Sequence, residues 1–164
     1  MKTVILGKRS NLTSKLKKIL QNSIVLSKKD IDNFEIKKLP KRFNLIINIF
    51  HPSYQLNKIK SFQQFFKNNF IFVSKFLDVV SHSRINKIIY TSSSSVYGDI
   101  IDHNNSRNLN ALSKLLMENY LRNLKTLRKK LIVARIFNMY DENENFSIIS
   151  KILNQLKSKK SLTI

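Results

Sequence analysis

The most distinctive polar residues of the chain are four consecutive serines, Ser92–Ser95, which follow the strand-like run Lys87–Thr91. Hydroxyl groups at the end of a buried strand can donate hydrogen bonds to a ligand and accept them from it. A serine nucleophile would also need a histidine and a carboxylate placed to activate it, and no such pair is positioned near the row. We therefore interpret the serines as hydrogen-bonding groups.

A second candidate is the turn Gly7–Thr13, with sequence GKRSNLT, between an apolar run and a helix-like stretch. It has the spacing of a Gly-x-x-Gly-x-x-Gly nucleotide loop, but Ser10 and Thr13 replace the second and third glycines. The helix that follows could hold a diphosphate through its free N–H groups and its dipole. Lys8 and Arg9 would add positive charge. An ordinary strand-to-helix turn is the alternative.

Short apolar strands alternate with amphipathic helices along the chain, a pattern that indicates a parallel sheet covered on both faces. Such sheets bind ligands at the carboxyl ends of their strands. The polar stretch 103–108 is expected to be a loop. The predicted strands are Thr3–Leu6, Ser23–Leu26, Asn44–Phe50, Lys87–Thr91 and Leu131–Phe137, and the predicted helices are Asn11–Gln21, a helix between Gln55 and Val80, Ala111–Leu124 and Phe146–Leu156.

Composition excludes several classes of protein. The 164 residues contain no cysteine, which excludes disulfides and thiolate metal sites, and the three histidines show no ligand spacing, so no metal site is expected. No apolar run approaches the roughly 18 residues of a membrane span. The first residues do not resemble a signal peptide, and a soluble, cytoplasmic protein is expected.

The formal charge of +20 would attract polyanions. However, the chain has 23 Lys and only 7 Arg, spread over most of its length, whereas base recognition favours the arginine fork. Nucleic-acid binding is therefore expected to be at most nonspecific.

Four segments in order resemble the extended short-chain dehydrogenase/reductase family, and more narrowly its NAD-dependent epimerase/dehydratase group, which acts on sugar nucleotides. They are Asn69–Val80 (NFIFVSKFLDVV), Ile88–Asp99 (IIYTSSSSVYGD), Asn110–Glu118 (NALSKLLME) and Ala134–Asp141 (ARIFNMYD). The resemblance implies a single Rossmann-type α/β domain with a doubly wound parallel sheet over residues 1–164.

The resemblance also implies roles for three polar residues. Ser93 takes the position of the hydroxyl that bonds the reacting oxygen of the sugar. Lys114 matches the lysine that binds the nicotinamide ribose and lowers the pKa of the catalytic tyrosine. Asn138 matches an asparagine that holds the nucleotide-sugar.

For the cofactor, the resemblance implies NADP or NAD. Gly7, Ser10, Asn11 and Leu12 line the expected pyrophosphate turn, and the pair Asp30 and Ile31 looks like the one that touches the adenine.

The acid that selects NAD after the second strand is replaced here by Ser27-Lys28-Lys29. Because cations suit a 2′-phosphate, Lys28 slightly favours NADP, with a solvated turn as the alternative.

Three departures weaken the enzymatic interpretation. Asn110 stands where the family has its tyrosine, and an amide cannot act as a general acid or base. Tyr97 and Tyr140 are the alternatives by residue type, but no spacing argument places either hydroxyl beside Ser93 and Lys114. Ser10 and Thr13 are expected to impede the approach of phosphates.

The third departure is length, because the chain stops where the family leads into its substrate lobe. Residues 141–164 would be only the start of a truncated lobe, and we expect an exposed sheet edge that favours a homo-oligomer, a completing partner chain or a remnant gene product.

The sequence thus predicts a divergent NAD(P)-dependent nucleotide-sugar epimerase, dehydratase or reductase, linked to nucleotide-sugar metabolism and polysaccharide biosynthesis. The alternatives are a pseudoenzyme that retains nucleotide binding or completes a partner, and a basic nucleic-acid-associated protein.

Overall fold

Five apolar runs form one parallel sheet in the computed structural model, which describes residues 2–32, 38–49, 61–98, 106–137, 139–140 and 147–158. The strands lie in the order β2-β1-β3-β4-β5, and every neighbouring pair is parallel. Their bounds are β1 Thr3–Leu6, β2 Ser23–Leu26, β3 Phe43–Ile47, β4 Ile85–Ser93 and β5 Leu131–Ile136.

The order in which the chain fills the sheet changes side at β1. The chain moves from β1 outward to β2, then returns to the other side of β1 for β3 and continues through β4 to β5. In sheets of this kind, ligands bind in the crevice outside the carboxyl ends of the strands at such a switch point. The predicted Rossmann-type α/β fold with a parallel sheet is confirmed.

Helices occupy the connections between the strands. They are α1 Asn11–Ile19, α2 Lys28–Asp32, α3 Phe62–Phe66, α4 Phe72–Val79, α5 Ser106–Asn123 and α6 Ile148–Lys157. A π-helical turn, Lys67–Ile71, joins α3 to α4. Short 3₁₀ turns at His82–Arg84 and Ser94–Tyr97 flank β4, and another at Arg128–Lys130 precedes β5.

The main core lies between the sheet and the helices α4 and α5. Its members include Leu45 and Ile88 of the sheet, Phe76 of α4, and Met117 and Leu121 of α5. Ile5 and Ile46 alternate with core residues along β1 and β3 and are also buried, so both faces of these two strands are covered.

Several predicted boundaries were wrong. β4 is longer than Lys87–Thr91, because its residues 88–93 pair with β5 along their whole length. β3 ends at Ile47, and the polar Asn48 begins the turn that follows. α1 ends at Ile19, capped by Leu20, and α5 begins at Ser106, within the predicted loop 103–108.

Only one of the two glycines is required by the backbone. Gly7 has φ of 112°, and a Cβ there would lie 1.9 Å from the Asn48 carbonyl oxygen. Gly98 has φ of −82°, and the nearest atom to a Cβ would be Ser95 O at 3.6 Å, an ordinary contact. A side chain is therefore excluded at Gly7 and tolerated at Gly98.

Large apolar side chains are exposed on the last strand and helix. Ile132 of β5 and Ile148, Leu153 and Leu156 of α6 are between 44% and 57% exposed. Among the described helices, none combines the length and the apolar character that crossing a membrane requires.

Candidate functional site

A cleft of about 680 Å³ opens at the carboxyl edge of the sheet, beside the switch point. The residues that line it come from the turns after β1, β2 and β3 and from the helical segment 67–79. They are Gly7, Lys8, Arg9, Ser10, Ser27, Lys28, Lys29, Asp30, Asn48, Ile49, Asn68 and Phe72. The cleft thus brings together Gly7 and Ser10 of the predicted turn with Lys28 and Asp30 after β2. The other predicted cofactor residues, Asn11, Leu12, Ile31 and Lys114, are not among its lining residues.

The glycine turn leads directly into the N-terminus of α1. Ser10 caps the helix, and its Oγ accepts the Thr13 N–H at 3.0 Å, while its carbonyl accepts the Ser14 N–H. The first two helical amides, of Asn11 and Leu12, have no intrahelical partner because of their position. The N-terminus of α1 therefore has amides available for an anion at the side of the cleft.

Ser10 and Thr13 stand at the positions of the second and third glycines, and both are hydrogen-bonded within the turn. Thr13 is buried, and its Oγ1 donates to Gly7 O at 2.6 Å. Ser10 Oγ donates to Thr13 Oγ1 at 3.1 Å, so both hydroxyls are engaged within the turn. The expectation that these side chains impede the approach of phosphates stays a prediction, because Ser10 lines the cleft while Thr13 is buried behind it.

The turn after β2 forms the basic rim of the cleft. Asp30 Oδ2 accepts hydrogen bonds from the backbone N–H and the hydroxyl of Ser27, at 2.6 and 2.5 Å, which together lower the pKa of Asp30. Asp30 therefore stabilises the N-terminus of α2 through these two hydrogen bonds. Lys28 Nζ donates to Asn68 Oδ1 at 3.0 Å, which holds the ammonium between α2 and the helical segment opposite.

A smaller recess of about 230 Å³ adjoins this rim and shares Lys28 and Phe72 with the cleft. Lys67 and Lys75 line it with Lys28, and no acidic side chain among the described residues lines it. Ile31, predicted beside the adenine, contributes to its apolar wall together with Ile71 and Phe72. The recess thus combines an apolar floor with three ammonium groups.

Lys114 lies at the ends of the two central strands. It is 6% exposed, and its Nζ donates to the carbonyls of Ile49 at 2.5 Å and Thr91 at 2.8 Å. The Tyr90 ring lies beneath it, with Nζ 5.2 Å from the ring centroid. Burial lowers the pKa of Lys114 to about 7, and the Glu118 carboxylate opposes that shift.

Ser93 is the last residue of β4, two residues beyond the carbonyl that Lys114 contacts. Its Oγ accepts from Ser95 N at 3.2 Å and from Ser95 Oγ at 2.9 Å, which leaves its own proton for another acceptor. Asn110 lies one helical turn before Lys114 on α5 and is partly buried. Asn138, the remaining predicted substrate residue, lies outside the described residues.

The two tyrosines named as alternatives to a tyrosine at position 110 are exposed, each at 65%. Tyr97 packs its ring against the Arg135 guanidinium, with 4.5 Å from Cζ to the centroid, and stacks on Phe137 at 6.2 Å. Tyr97 therefore packs against the end of β5.

A buried carboxylate that the sequence analysis did not single out holds α5 to the sheet. Glu118 is 1% exposed and accepts from Ser92 Oγ at 2.5 Å and from Arg135 Nε and Nη2 at 3.0 and 2.7 Å. Burial acts to raise the pKa of Glu118, but the bonds from Arg135 and Ser92 outweigh it and lower that pKa. The spacing of Glu118, four residues after Lys114, was the available signal.

Asn48 and Thr91 were also missed. Asn48 is 1% exposed, and it donates to Ser10 Oγ at 2.6 Å and to Thr13 Oγ1 at 2.7 Å. Thr91 Oγ1 donates to Asn48 Oδ1 at 2.9 Å. The available signal is the amide of Asn48 inside the otherwise apolar stretch 45–50.

Within the described part of the chain, no group of three or more His, Asp or Glu side chains could hold a metal ion.

The switch-point cleft, the glycine turn and the amides of α1 define a Rossmann-type nucleotide-binding domain. The model of the NAD-dependent epimerase/dehydratase family matches residues 4–164. The chain therefore belongs to the NAD-dependent epimerase/dehydratase family.

Solved structures agree on the fold. A UDP-N-acetylglucosamine 4-epimerase from Methanobrevibacter ruminantium M1, in complex with UDP-N-acetylmuramic acid, superposes with a TM-score of 0.68 at 16% identity, over 99% of this chain and 64% of that one. The protein RMD from Pseudomonas aeruginosa, complexed with NADPH, gives 0.67 at 15% identity, over 99% and 64%.

A UDP-glucuronic acid 4-epimerase from Bacillus cereus, in complex with NAD, gives 0.55 at 19% identity, over 100% and 66%. At these identities the likeness establishes the fold, and this chain spans slightly less than two thirds of each neighbour. A search of curated proteins found no significant match.

Proposed function

We propose that this chain binds a nicotinamide dinucleotide in the 680 Å³ cleft and that its site belongs to nucleotide-sugar metabolism. The observation that carries the proposal is the cleft itself, which gathers the ends of β1, β2 and β3 around the N-terminus of α1. Two neighbours in the same family fold are complexes with NAD and with NADPH.

The residues of the cleft fit such a cofactor. Gly7 leaves room for the Asn48 carbonyl that packs against the turn, and the amides of Asn11 and Leu12 can donate to a diphosphate. Lys8 and Arg9 line the same cleft and add positive charge. When bound, a nicotinamide cofactor supplies hydride transfer to or from a substrate carbon.

The basic recess supports NADP over NAD. Lys28, Lys67 and Lys75 line a pocket that adjoins the cleft, and none of the described residues that line it is acidic. An acid there would bind a ribose 2′-hydroxyl, whereas three ammonium groups suit a 2′-phosphate. We infer that the adenosine end of the cofactor lies toward this recess, beside Ile31.

Ser93 and Lys114 are the polar pair proposed for the reacting end. The Ser93 proton is free to hydrogen-bond a sugar oxygen, and Lys114 keeps its ammonium fixed between two carbonyls at the strand ends. Asn110 cannot transfer a proton, and loss of a general acid or base costs roughly 10²- to 10⁴-fold in rate. Asn110 therefore favours a second candidate function, a nucleotide-binding protein with little or no turnover.

Titration calorimetry of the full chain with NADP⁺ and NAD⁺ tests the proposal. We expect NADP⁺ to bind more tightly, and Lys28→Gln with Lys75→Gln to weaken NADP⁺ by about tenfold or more, because each charged hydrogen bond is worth about 1.5 kcal/mol. NAD⁺ affinity should stay within about twofold.

The matched control is Lys87→Gln, an exposed lysine near the opposite end of β4, which should change neither affinity. Equal loss of NAD⁺ and NADP⁺ affinity in the double variant would contradict the assignment of the 2′-phosphate. Absence of binding at millimolar concentration of either cofactor would overturn the proposed function.

Turnover separates the two candidate functions. UDP-N-acetylglucosamine and UDP-glucuronic acid, the sugar nucleotides named for two neighbours, serve as probes with NADP⁺ or NAD⁺. Cofactor binding without product identifies the nucleotide-binding protein. Salt-sensitive binding to duplex DNA with no response to cofactor would favour the nucleic-acid-associated alternative.

Self-association is proposed from the exposed apolar side chains of β5 and α6. Light scattering across a concentration series measures it, and a constant monomer mass would contradict it.

A further inference from the structure

The turn between β1 and α1 lacks the second and third glycines, yet it keeps a closely packed shape. Thr13 Oγ1 donates to Gly7 O at 2.6 Å, and Ser10 Oγ donates to Thr13 Oγ1 at 3.1 Å. Each hydroxyl has one proton, and both protons are used in these bonds. The two oxygens can still accept, and both accept from the same residue.

That residue is Asn48, at the end of β3. Its Nδ2 has two protons and donates to Ser10 Oγ at 2.6 Å and to Thr13 Oγ1 at 2.7 Å. The backbone of Asn48 touches the turn as well, because its carbonyl oxygen occupies the space that a Cβ on Gly7 would need. Its own N–H donates to Leu6 O at 2.8 Å, so the end of β3 is bound to the end of β1.

Asn48 also reaches in the other direction, toward β4. Its Oδ1 accepts from Thr91 Oγ1 at 2.9 Å, and the Thr91 carbonyl accepts from Lys114 Nζ at 2.8 Å. The amide is 1% exposed, and its donors and its acceptor all have partners. A continuous set of hydrogen bonds therefore joins the glycine turn to Lys114 across two strands.

We propose that Asn48 is a positioning residue that replaces the missing glycines: it fixes the shape of the turn 7–13 through Ser10 and Thr13 and ties that turn to the strand that seats Lys114. The inference rests on the proposed function, since the turn is where a diphosphate would bind. Ser10, Thr13 and Asn48 thus form one hydrogen-bonded unit, in which each side chain supplies partners for the polar atoms of the other two.

The direct test is Asn48→Leu, which keeps the approximate size of the side chain and removes its hydrogen bonds. We expect its affinity for ADP, measured by calorimetry, to fall about tenfold. This is the loss expected when one amide of the turn is displaced and no longer donates a charged hydrogen bond to the diphosphate. The Thr13 amide, which the Ser10 cap protects, should exchange with solvent at least about tenfold faster.

The matched control is Asn44→Leu, the same substitution at the other end of β3. Asn44 Oδ1 is buried without a hydrogen-bond partner among the described residues, so its loss should leave both ADP affinity and Thr13 exchange within about twofold of the parent. Urea unfolding of both variants reports any general loss of stability.

A double-mutant cycle asks whether Asn48 acts through the two hydroxyls. In a Ser10→Ala, Thr13→Val background, Asn48→Leu should add less than about twofold to the loss of ADP affinity, because its donors no longer have those partners. An unchanged tenfold effect in that background would show that Asn48 acts by another route and would overturn the proposal.

The two levels of the argument can fail separately. If the parent chain binds neither ADP nor NADP⁺ while Asn48→Leu still speeds Thr13 exchange, the proposed function fails and the positioning role stands. If the parent binds ADP and Asn48→Leu binds it equally well with unchanged exchange, the positioning role is wrong.

Discussion

Lys114 offers the most quantitative test of the site, through the pH dependence of stability. Its ammonium is 6% exposed between two strand-end carbonyls, and burial lowers its pKa to about 7. In the unfolded chain a lysine has a pKa of about 10.4. Between these values the unfolded state binds one more proton than the folded state.

The sign follows from that difference in protons. Where the unfolded state binds more protons, the free energy of unfolding rises with pH, here by about 1.4 kcal/mol per pH unit. Below pH 7 both states are charged and Lys114 contributes no slope. Across the window from about pH 7 to about 10 the gain is on the order of 4 kcal/mol.

Above this window the slope should reverse because of Tyr90. Burial raises the pKa of Tyr90 well above its ordinary value, with the Glu118 charge adding to the effect. The folded state then retains a proton that the unfolded state loses, so stability falls as pH rises past 10. A maximum near pH 10 is expected.

Urea unfolding followed by circular dichroism, at pH 7, 8, 9 and 10, measures the slope, and the absence of tryptophan makes dichroism the suitable signal. The Lys114→Met variant should lose the slope, and the exposed Lys87→Met should keep it. If the parent and Lys114→Met have the same slope between pH 7 and 10, Lys114 does not titrate there and the reasoning is refuted.

Three further substitutions test other parts of the site. Gly7→Ala should destabilise the fold by about 3 kcal/mol or more and abolish cofactor binding, because its Cβ would lie 1.9 Å from Asn48 O; urea unfolding and calorimetry measure both effects. Glu118→Gln should lower the free energy of unfolding by about 2 kcal/mol, because Ser92 and Arg135 lose the charged oxygens that accept their hydrogen bonds. Asn110→Tyr should raise turnover of a sugar nucleotide by roughly 10²-fold or more if the remaining site is intact.

Each of these three substitutions has a control at another residue of the same chemical type. Gly98→Ala should be tolerated, since its Cβ makes only an ordinary contact. A large effect there would contradict the claim that the backbone requires a glycine at Gly7 and not at Gly98. Asp78→Asn, at an exposed acid on α4, should cost little, in contrast to the buried carboxylate. Asn123→Tyr, exposed at the end of α5, should not create turnover, and equal gains would contradict the role assigned to position 110.

If Asn48 acts as proposed, the glycine turn is a case in which a divergent sequence keeps the shape of a site. Small hydroxyl residues stand in place of two glycines, and their hydroxyls are hydrogen-bonded inside the turn. Asn110 is the departure that bears directly on proton transfer, because no contact of the described residues supplies a proton donor in its place.

Elements with a strong local pattern could be predicted from the sequence. The five strands are apolar runs, and α4 carries apolar residues at three- and four-residue steps. Such spacing places apolar side chains on the faces that become buried, so it can be recognised in the sequence. The resemblance of the segment 88–99 led to Ser93, and the segment 110–118 led to Lys114 and Asn110. The glycine turn was identified because only Gly7 precedes a helix directly after a strand.

The polar contacts of the site depend on residues distant in sequence and were not predictable in this way. Asn48 meets Ser10 and Thr13 across more than 30 positions because β1 and β3 are neighbours in the sheet. Glu118 lies four residues beyond Lys114 and binds Ser92 and Arg135 from two different strands. Strand order decides these meetings, and strand order arises from the packing of the whole chain, which no local spacing encodes.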